Sequence, residues 1–422
     1  VTAMNADTPP TARCCDEYAA ISRRGLLRGA LALAGTTTVL GSAVVTASPA
    51  AAAPAPARSM LVVLSLRGAA DGLSLVVPHA DPVYYAARPR IAVPVESLLA
   101  RDAMFGLHPS LAPLLPLWNA GRLAAVHATG LPAPNRSHFA AMEEIEDADP
   151  GSAVRRGWLN RLLGTDPARH PLHGFHLGAG VVPASLYGPE PVMAAGRVDS
   201  VTIPGDDQSD TSRSRVTSLH TLWDDDTSSL ATGMRSAFDA VSSFAPAQSV
   251  PSRKADYPDT DLGRAMAEAA RILKGDVGVQ VVTVDQGDWD MHSDLGTLSW
   301  GRMRSNATDL AGSVATFFDD LGSVGDRVTL VALSEFGRRV RENANHGLDH
   351  GHGNVMLLAG AGVRGGRYHG RWPGLSDDDD ADLRVTTDYR SVLAEVVSSR
   401  FGASTAAVFP GFTPEPVGAM GG

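Results

Sequence analysis

The sequence predicts an α/β domain whose central, mostly parallel sheet is sandwiched by helices. Three observations carry that expectation. Short, apolar, β-branched runs recur along the chain. Stretches with apolar residues at helical spacing alternate with them, which is the pattern of a parallel sheet covered on both faces. Polar, glycine-containing segments follow the runs directly, where such sheets place their ligands.

The first run, Ser59-Met60-Leu61-Val62-Val63-Leu64-Ser65-Leu66, stops at Arg67-Gly68 and reads as a buried strand. Leu111 to Trp118 follows Pro109 with helical spacing and is closed by Gly121, after which Leu123 to Val126 reads as a second strand. Ser137 to Ile145 is expected to be a helix, with caps offered by Asn135 to Ser137. Residues 165–260 are rich in Pro, Ser and Asp, with a helix expected over Ser214 to Phe244, and read as a cap or insertion beside the sheet. Leu262, Met266, Ala269 and Leu273 mark one face of a helix ended by Gly275. Strands over Val279 to Val284, Val328 to Leu333 and Asn354 to Ala359 follow, with helices over Met303 to Leu321 and Thr387 to Phe401. Residues 59–422 are therefore expected to form one domain.

The segment before it reads as an address. Ser22-Arg23-Arg24-Gly25-Leu26-Leu27 precedes a weakly apolar run, Gly29 to Val45, and an Ala/Pro tract over 47–57. The order resembles a twin-arginine export signal, implying the twin-arginine translocase as partner, cleavage near Ala50 to Ala53 and an extracytoplasmic location. The run is too poor in leucine to suggest a permanent membrane span, although an uncleaved anchor is the alternative. Both cysteines, Cys14 and Cys15, lie ahead of it. A cleaved chain would have no disulfide, thiolate metal site or cysteine nucleophile. The chain holds 36 Lys and Arg against 46 Asp and Glu, a net charge of −10, so no nucleic-acid partner is expected.

The chemistry concentrates after the predicted strands. The segments are Arg67-Gly68-Ala69-Ala70-Asp71-Gly72, Asn135-Arg136-Ser137-His138, Asp285-Gln286-Gly287-Asp288-Trp289-Asp290-Met291-His292 and Ser334-Glu335-Phe336-Gly337-Arg338, joined by Asp349-His350-Gly351-His352-Gly353 just before the fifth strand. Four of the thirteen histidines fall in these segments with most of the carboxylates. Carboxylate oxygen and imidazole nitrogen together suit zinc, manganese or another divalent ion. Taken singly, an Asp after a strand is a helix cap or turn residue, Ser137 a helix cap, and the 349–352 segment a solvated loop. Their common position at one edge of one sheet favours a site. Which of Asp285, Asp288 and Asp290 points inward stays open, because a one-residue shift at a strand end reverses direction. His108, His127 and His170 read as structural, and Asp377 to Asp380 as an exposed acidic loop.

At these residues the chain resembles the domain-of-unknown-function 1501 family, grouped with the alkaline phosphatase and sulfatase superfamily. The matching pieces are the twin-arginine leader, Arg67-Gly68-Ala69-Ala70-Asp71-Gly72-Leu73, Arg136-Ser137-His138-Phe139, Asp288-Trp289-Asp290-x-His292, Ser334-Glu335-Phe336-Gly337-Arg338 and Gly347-x-Asp349-His350. The resemblance implies an alkaline-phosphatase-like fold with two divalent ions, zinc, manganese or calcium. It implies Asp71, Asp288, His292 and Glu335 as ligands, with Asp349, His350 or His352 supplying the late ones. Ser137 would be the nucleophile, and Arg136 or Arg67 would steady a phosphate or sulfate ester. Two departures stand out: Glu335-Phe336 replaces the superfamily's Asp-His, and Pro132-Ala133-Pro134-Asn135-Arg136 lacks the modifiable residue of formylglycine sulfatases. The expected function is thus an exported metal-dependent hydrolase of small anionic esters. The alternatives are a non-catalytic cell-envelope binding or assembly protein and a phosphomutase-like transferase.

Overall fold

A computed structural model of the chain describes residues 37–40, 43–46, 55–178, 181–203 and 214–421. The strands in chain order are β1 (Thr37–Leu40), β2 (Ala43–Thr46), β3 (Met60–Leu66), β4 (Val76–Val77), β5 (Gly106–Leu107), β6 (Leu123–Gly130), β7 (Gly174–Leu177), β8 (Met193–Ala195), β9 (Val281–Gln286), β10 (Val328–Leu333), β11 (Asn354–Gly360), β12 (Arg367–His369) and β13 (Thr387–Asp388). The main sheet runs β1-β2-β8-β7-β9-β3-β10-β11-β6-β12, with β13 also on β6, while β4 and β5 form a separate ribbon. Strands β8, β7, β9, β3 and β10 are parallel neighbours, and β11 is inserted antiparallel between β10 and β6. The carboxyl ends of β3, β6, β9 and β10 therefore share one edge of the sheet with the amino end of β11.

Alternation within each strand feeds two cores. Met60, Val62, Leu64 and Leu66 of β3 enter one apolar cluster, and Leu61 and Val63 enter the other. A strand buried on both faces reads as an unbroken apolar run, which is why β3 and β10 were visible as such. The first cluster is closed by α5 (Asp261–Lys274) and α6 (Arg302–Leu321), through Met266, Ile272, Leu310 and Phe317. The second is closed by α1 (His138–Asp147), α2 (Trp158–Leu163) and α7 (Tyr389–Phe401), through Ile145, Trp158 and Val396. The apolar positions Leu262, Met266, Ala269 and Leu273 are all buried, and Thr260 caps α5 by accepting from the Gly263 amide at 3.0 Å.

Several elements differ from the sequence expectation. Within the stretch read as a cap or insertion, two segments join the sheet itself: β7 and β8 lie between β9 and β2. Four- and three-residue strands are too short to show a period, so only pairing reveals them. The helix expected over 214–244 is two, α3 (Ser214–Asp224) and α4 (Ser229–Ser243), because Ser228 starts a new helix by capping Ala231 at 3.1 Å. Leu111 to Trp118 opens as a 3-10 segment, Pro109–Leu114, and ends as a single α turn, Leu115–Asn119. Pro113 and Pro116 have no N–H to give to a regular helix.

The arginine pair and the expected cleavage region lie outside the described residues. Part of the apolar run is described: β1 and β2 pair antiparallel, and β2 extends the sheet antiparallel to β8 with Ala43 and Val45 buried. Among the described residues no helix is long and apolar enough to cross a membrane.

Candidate metal centre

The site is built where the loops after β3, β6, β9 and β10 meet the approach to β11. Gly68 has φ +109°, and a Cβ there would lie 2.5 Å from the Asp290 amide nitrogen, so only glycine lets these loops touch. Asp288 adopts φ +65° and turns its side chain outward, 89% exposed, while Trp289 is fully buried and donates to Gln286 at 3.2 Å. That turn brings Asp290 inward. The fully buried Arg338 fixes it there, donating to Asp290 Oδ1 at 2.7 Å and to the carbonyls of Ala69 at 2.7 Å, Leu348 at 3.0 Å and Trp289 at 3.2 Å. One planar guanidinium thereby ties three loops together.

Three imidazoles converge on the Asp290 carboxylate. Their Nε2 atoms lie 3.6 Å (His138), 3.2 Å (His292) and 3.6 Å (His350) from Oδ1, and those of His292 and His350 are 2.9 Å apart. His138, Asp290 and His350 offer ligand atoms all within 4.8 Å of one another, so this group could hold a metal ion, with His292 at its edge. The far side of each ring is held. His138 Nδ1 faces Glu335 Oε1 at 2.7 Å, His292 Nδ1 faces Asp349 Oδ1 at 2.9 Å, and His350 Nδ1 faces the Arg136 carbonyl at 2.9 Å. Acceptors in those positions place the proton on Nδ1 and aim the Nε2 lone pair inward, the outer-shell pattern of ligating histidines. Tetrahedral bonds of about 2.0–2.1 Å set donor atoms roughly 3.3 Å apart, close to the separations here. The donor set fits a divalent ion.

Electrostatics agree with the geometry. Burial by itself would raise Asp290, but hydrogen bonds from His138, His292, His350 and Arg338 hold it far below the usual carboxylate range. Burial would lower His138, and its bonds to Asp290 and Glu335 outweigh that, pushing it up to about 9. Asp290 raises His292 in the same way. Glu335 is depressed despite its burial, mainly by His138, and also accepts the Gly68 amide at 2.9 Å. The cluster is a place where positive charge is stabilised, as protons or as a metal.

The structure sorts the sequence candidates. His292 and His350 reach the cluster directly, and Glu335 and Asp349 stand behind histidines. Asp71 does not reach it: its carboxylate makes a buried bidentate pair with Arg88, at 2.6 and 3.1 Å. Asp288 faces solvent. The His352 ring is held by the Leu131 carbonyl at 2.8 Å, outside the group. Ser137 sits exposed at the N-cap of α1 and makes no side-chain cap bond. Arg136 pairs with Asp382 at 2.5 Å, and Arg67 pairs with Glu146 at 2.7 Å and Asp285 at 3.1 Å. His138 is a member of the cluster that the sequence does not single out. It stands in the Arg-Ser-His segment, directly after Ser137, and is buried in the first turn of α1. Phe336, the departure at the Glu-Phe pair, packs its ring 5.0 Å from both His138 and His350 as an apolar wall. One candidate group, not two, is present among the described residues.

Beside the cluster, sharing Asp290 with it, lies a cavity of about 560 Å³ lined by Asp261, Asp285, Asp288, Asp309, Arg67 and Arg302. None of the curated proteins searched matches the chain. A family profile does match, over residues 58–396, and it takes in β3, α1, the 288–292 turn, Arg338 and the 349–352 loop. The chain belongs to this family, DUF1501, described as proteins of unknown function.

Proposed function

We propose that the protein is a metal-dependent hydrolase of phosphate or sulfate esters, built around one divalent ion held by His138, Asp290, His292 and His350. The observation that carries this reading is the convergence of three Nε2 atoms on one carboxylate oxygen, each ring fixed from behind by an acceptor. A divalent ion bound there would supply Lewis acidity toward an ester oxygen and lower the pKa of a nucleophile. The chain's own residues do the rest. Asp349 and Glu335 hold the His292 and His138 rings in the metal-binding tautomer, and Arg338 keeps Asp290 ionised. Ser137, one residue before His138 and exposed at the head of α1, is the nucleophile in this reading, and the neighbouring α1 amides favour an anionic group.

A panel of aryl phosphates and sulfates tests it on purified full chain with zinc, manganese or calcium. Turnover that Ser137→Ala abolishes without changing metal content supports the proposal. Turnover that survives Ser137→Ala assigns the attack to water and removes the serine role. A second reading, a metal-binding envelope protein without turnover, is favoured by the carboxylate-lined cavity beside Asp290, whose field opposes an anionic substrate. Bound metal with no turnover across the panel would select it.

A further inference from the structure

The acidic run Asp377 to Asp380 is exposed, as expected, and it is paired with arginines. Asp377 accepts from Arg341 Nη2 at 2.8 Å, and Asp379 lies 3.4 Å from Arg341 Nε. Asp380 pairs with Arg339, and Asp382 with Arg136 at 2.5 Å. Two of these arginines, Arg136 and Arg339, also support the candidate metal centre through their backbones. The Arg136 carbonyl accepts from His350 Nδ1 at 2.9 Å, and the Arg339 amide donates to the Asp349 carbonyl at 3.0 Å. Residues 338 and 350 pair as a bridge, and so do 339 and 382, so the acidic loop lies two chain segments away from the histidines.

We propose that Arg136, Arg339 and Arg341 form an anion-binding subsite for multiply charged phosphate or sulfate groups, and that the 377–382 loop occupies it as an internal stand-in. The loop satisfies the subsite incompletely. Arg339 Nε and Asp382 Oδ1 are buried with no hydrogen-bond partner, and the Asp379 and Asp380 side chains are 97% and 84% exposed. Exposed ion pairs of this kind are weak, whereas an oxyanion presents two oxygens to each guanidinium fork. A tethered competitor has a high effective concentration, so the loop screens weak single charges and yields to a ligand carrying several. The substrate class is thereby narrowed, on the hydrolase reading, to esters with more than one negative charge. Binding at the arginines does not depend on that reading.

The test is calorimetric titration of inorganic pyrophosphate, with inorganic sulfate in parallel, into metal-free full chain kept in chelator. Absence of metal separates this subsite from the centre. The variant Asp377→Asn/Asp379→Asn/Asp380→Asn is expected to bind one or both anions about tenfold tighter than wild type. Adding Arg339→Gln/Arg341→Gln should cancel the gain. If the triple variant does not fold, Asp380→Asn alone should gain about threefold, because its carboxylate is exposed. Affinity unchanged in a folded variant, or a gain that survives loss of both arginines, overturns the proposal.

Discussion

His292 and His350 meet Nε2 to Nε2 at 2.9 Å, although an acceptor behind each ring keeps its proton on Nδ1. Two lone pairs at that distance repel unless a proton or a metal ion lies between them, and a divalent ion would satisfy both rings and Asp290 at once. One divalent ion per chain is therefore expected from metal analysis of the purified protein. Asp290→Asn and His350→Ala should each remove it. Metal at a hundred times its dissociation constant should stabilise the fold by about 2.7 kcal/mol in thermal unfolding. Two ions per chain, or one retained by Asp290→Asn, would place the site elsewhere.

Asp71 and Asp288 separate structure from ligation. Asp71→Ala leaves Arg88 buried without its carboxylate, which costs about 3–5 kcal/mol in urea unfolding. The fraction that folds should still bind metal. Asp288→Asn, at a solvent-facing side chain, should change neither stability nor metal content. Loss of metal with stability intact in Asp71→Ala would make that residue a ligand.

Glu335→Gln keeps an acceptor for the Gly68 amide but takes the charge from behind His138. Removing such an outer-shell carboxylate weakens metal binding by about 10–100-fold. Competition against a fluorescent chelator measures this directly. Affinity equal to wild type would show that His138 does not ligate.

Buried histidines set the acid limit of the fold. Burial pushes His108, His127 and His170 down to about 4, and His108 and His170 each accept a backbone N–H at Nδ1. The unfolded chain protonates them near 6.5 and the native state only near 4. Their contribution is thus full above about 6.5 and lost as pH falls toward 4. His138, raised to about 9, acts in the opposite sense in metal-free protein, so the comparison must be between variants. His170→Asn keeps a side-chain oxygen for the Leu172 amide. It should shrink the stability difference between pH 7.5 and pH 5 by about 2 kcal/mol relative to wild type. An unchanged difference would mean that His170 is protonated or exposed at pH 5.

Much of the frame was legible because it is written locally. β3 and β10 are continuous apolar runs, α5 and α6 carry an apolar stripe, and both patterns survive without knowledge of neighbours. β7 and β8 were not legible. Gly174–Leu177 and Met193–Ala195 become strands only because edges of β9 and β2 are there to pair with them.

For the candidate centre, the sequence by itself marked five polar segments, four after strands and one before β11, and the parallel run of β9, β3 and β10 is what gathers such strand ends at one sheet edge. The sequence did not determine which residue in each segment turns inward. Asp290 prevails over Asp288 because a left-handed residue, the close approach of Gly68 and the grip of Arg338 reverse the chain there. Asp71 is withdrawn by Arg88, and His138 is delivered by the first turn of α1. Side-chain direction at a loop is fixed by contacts across the chain, and only the tertiary structure supplies them.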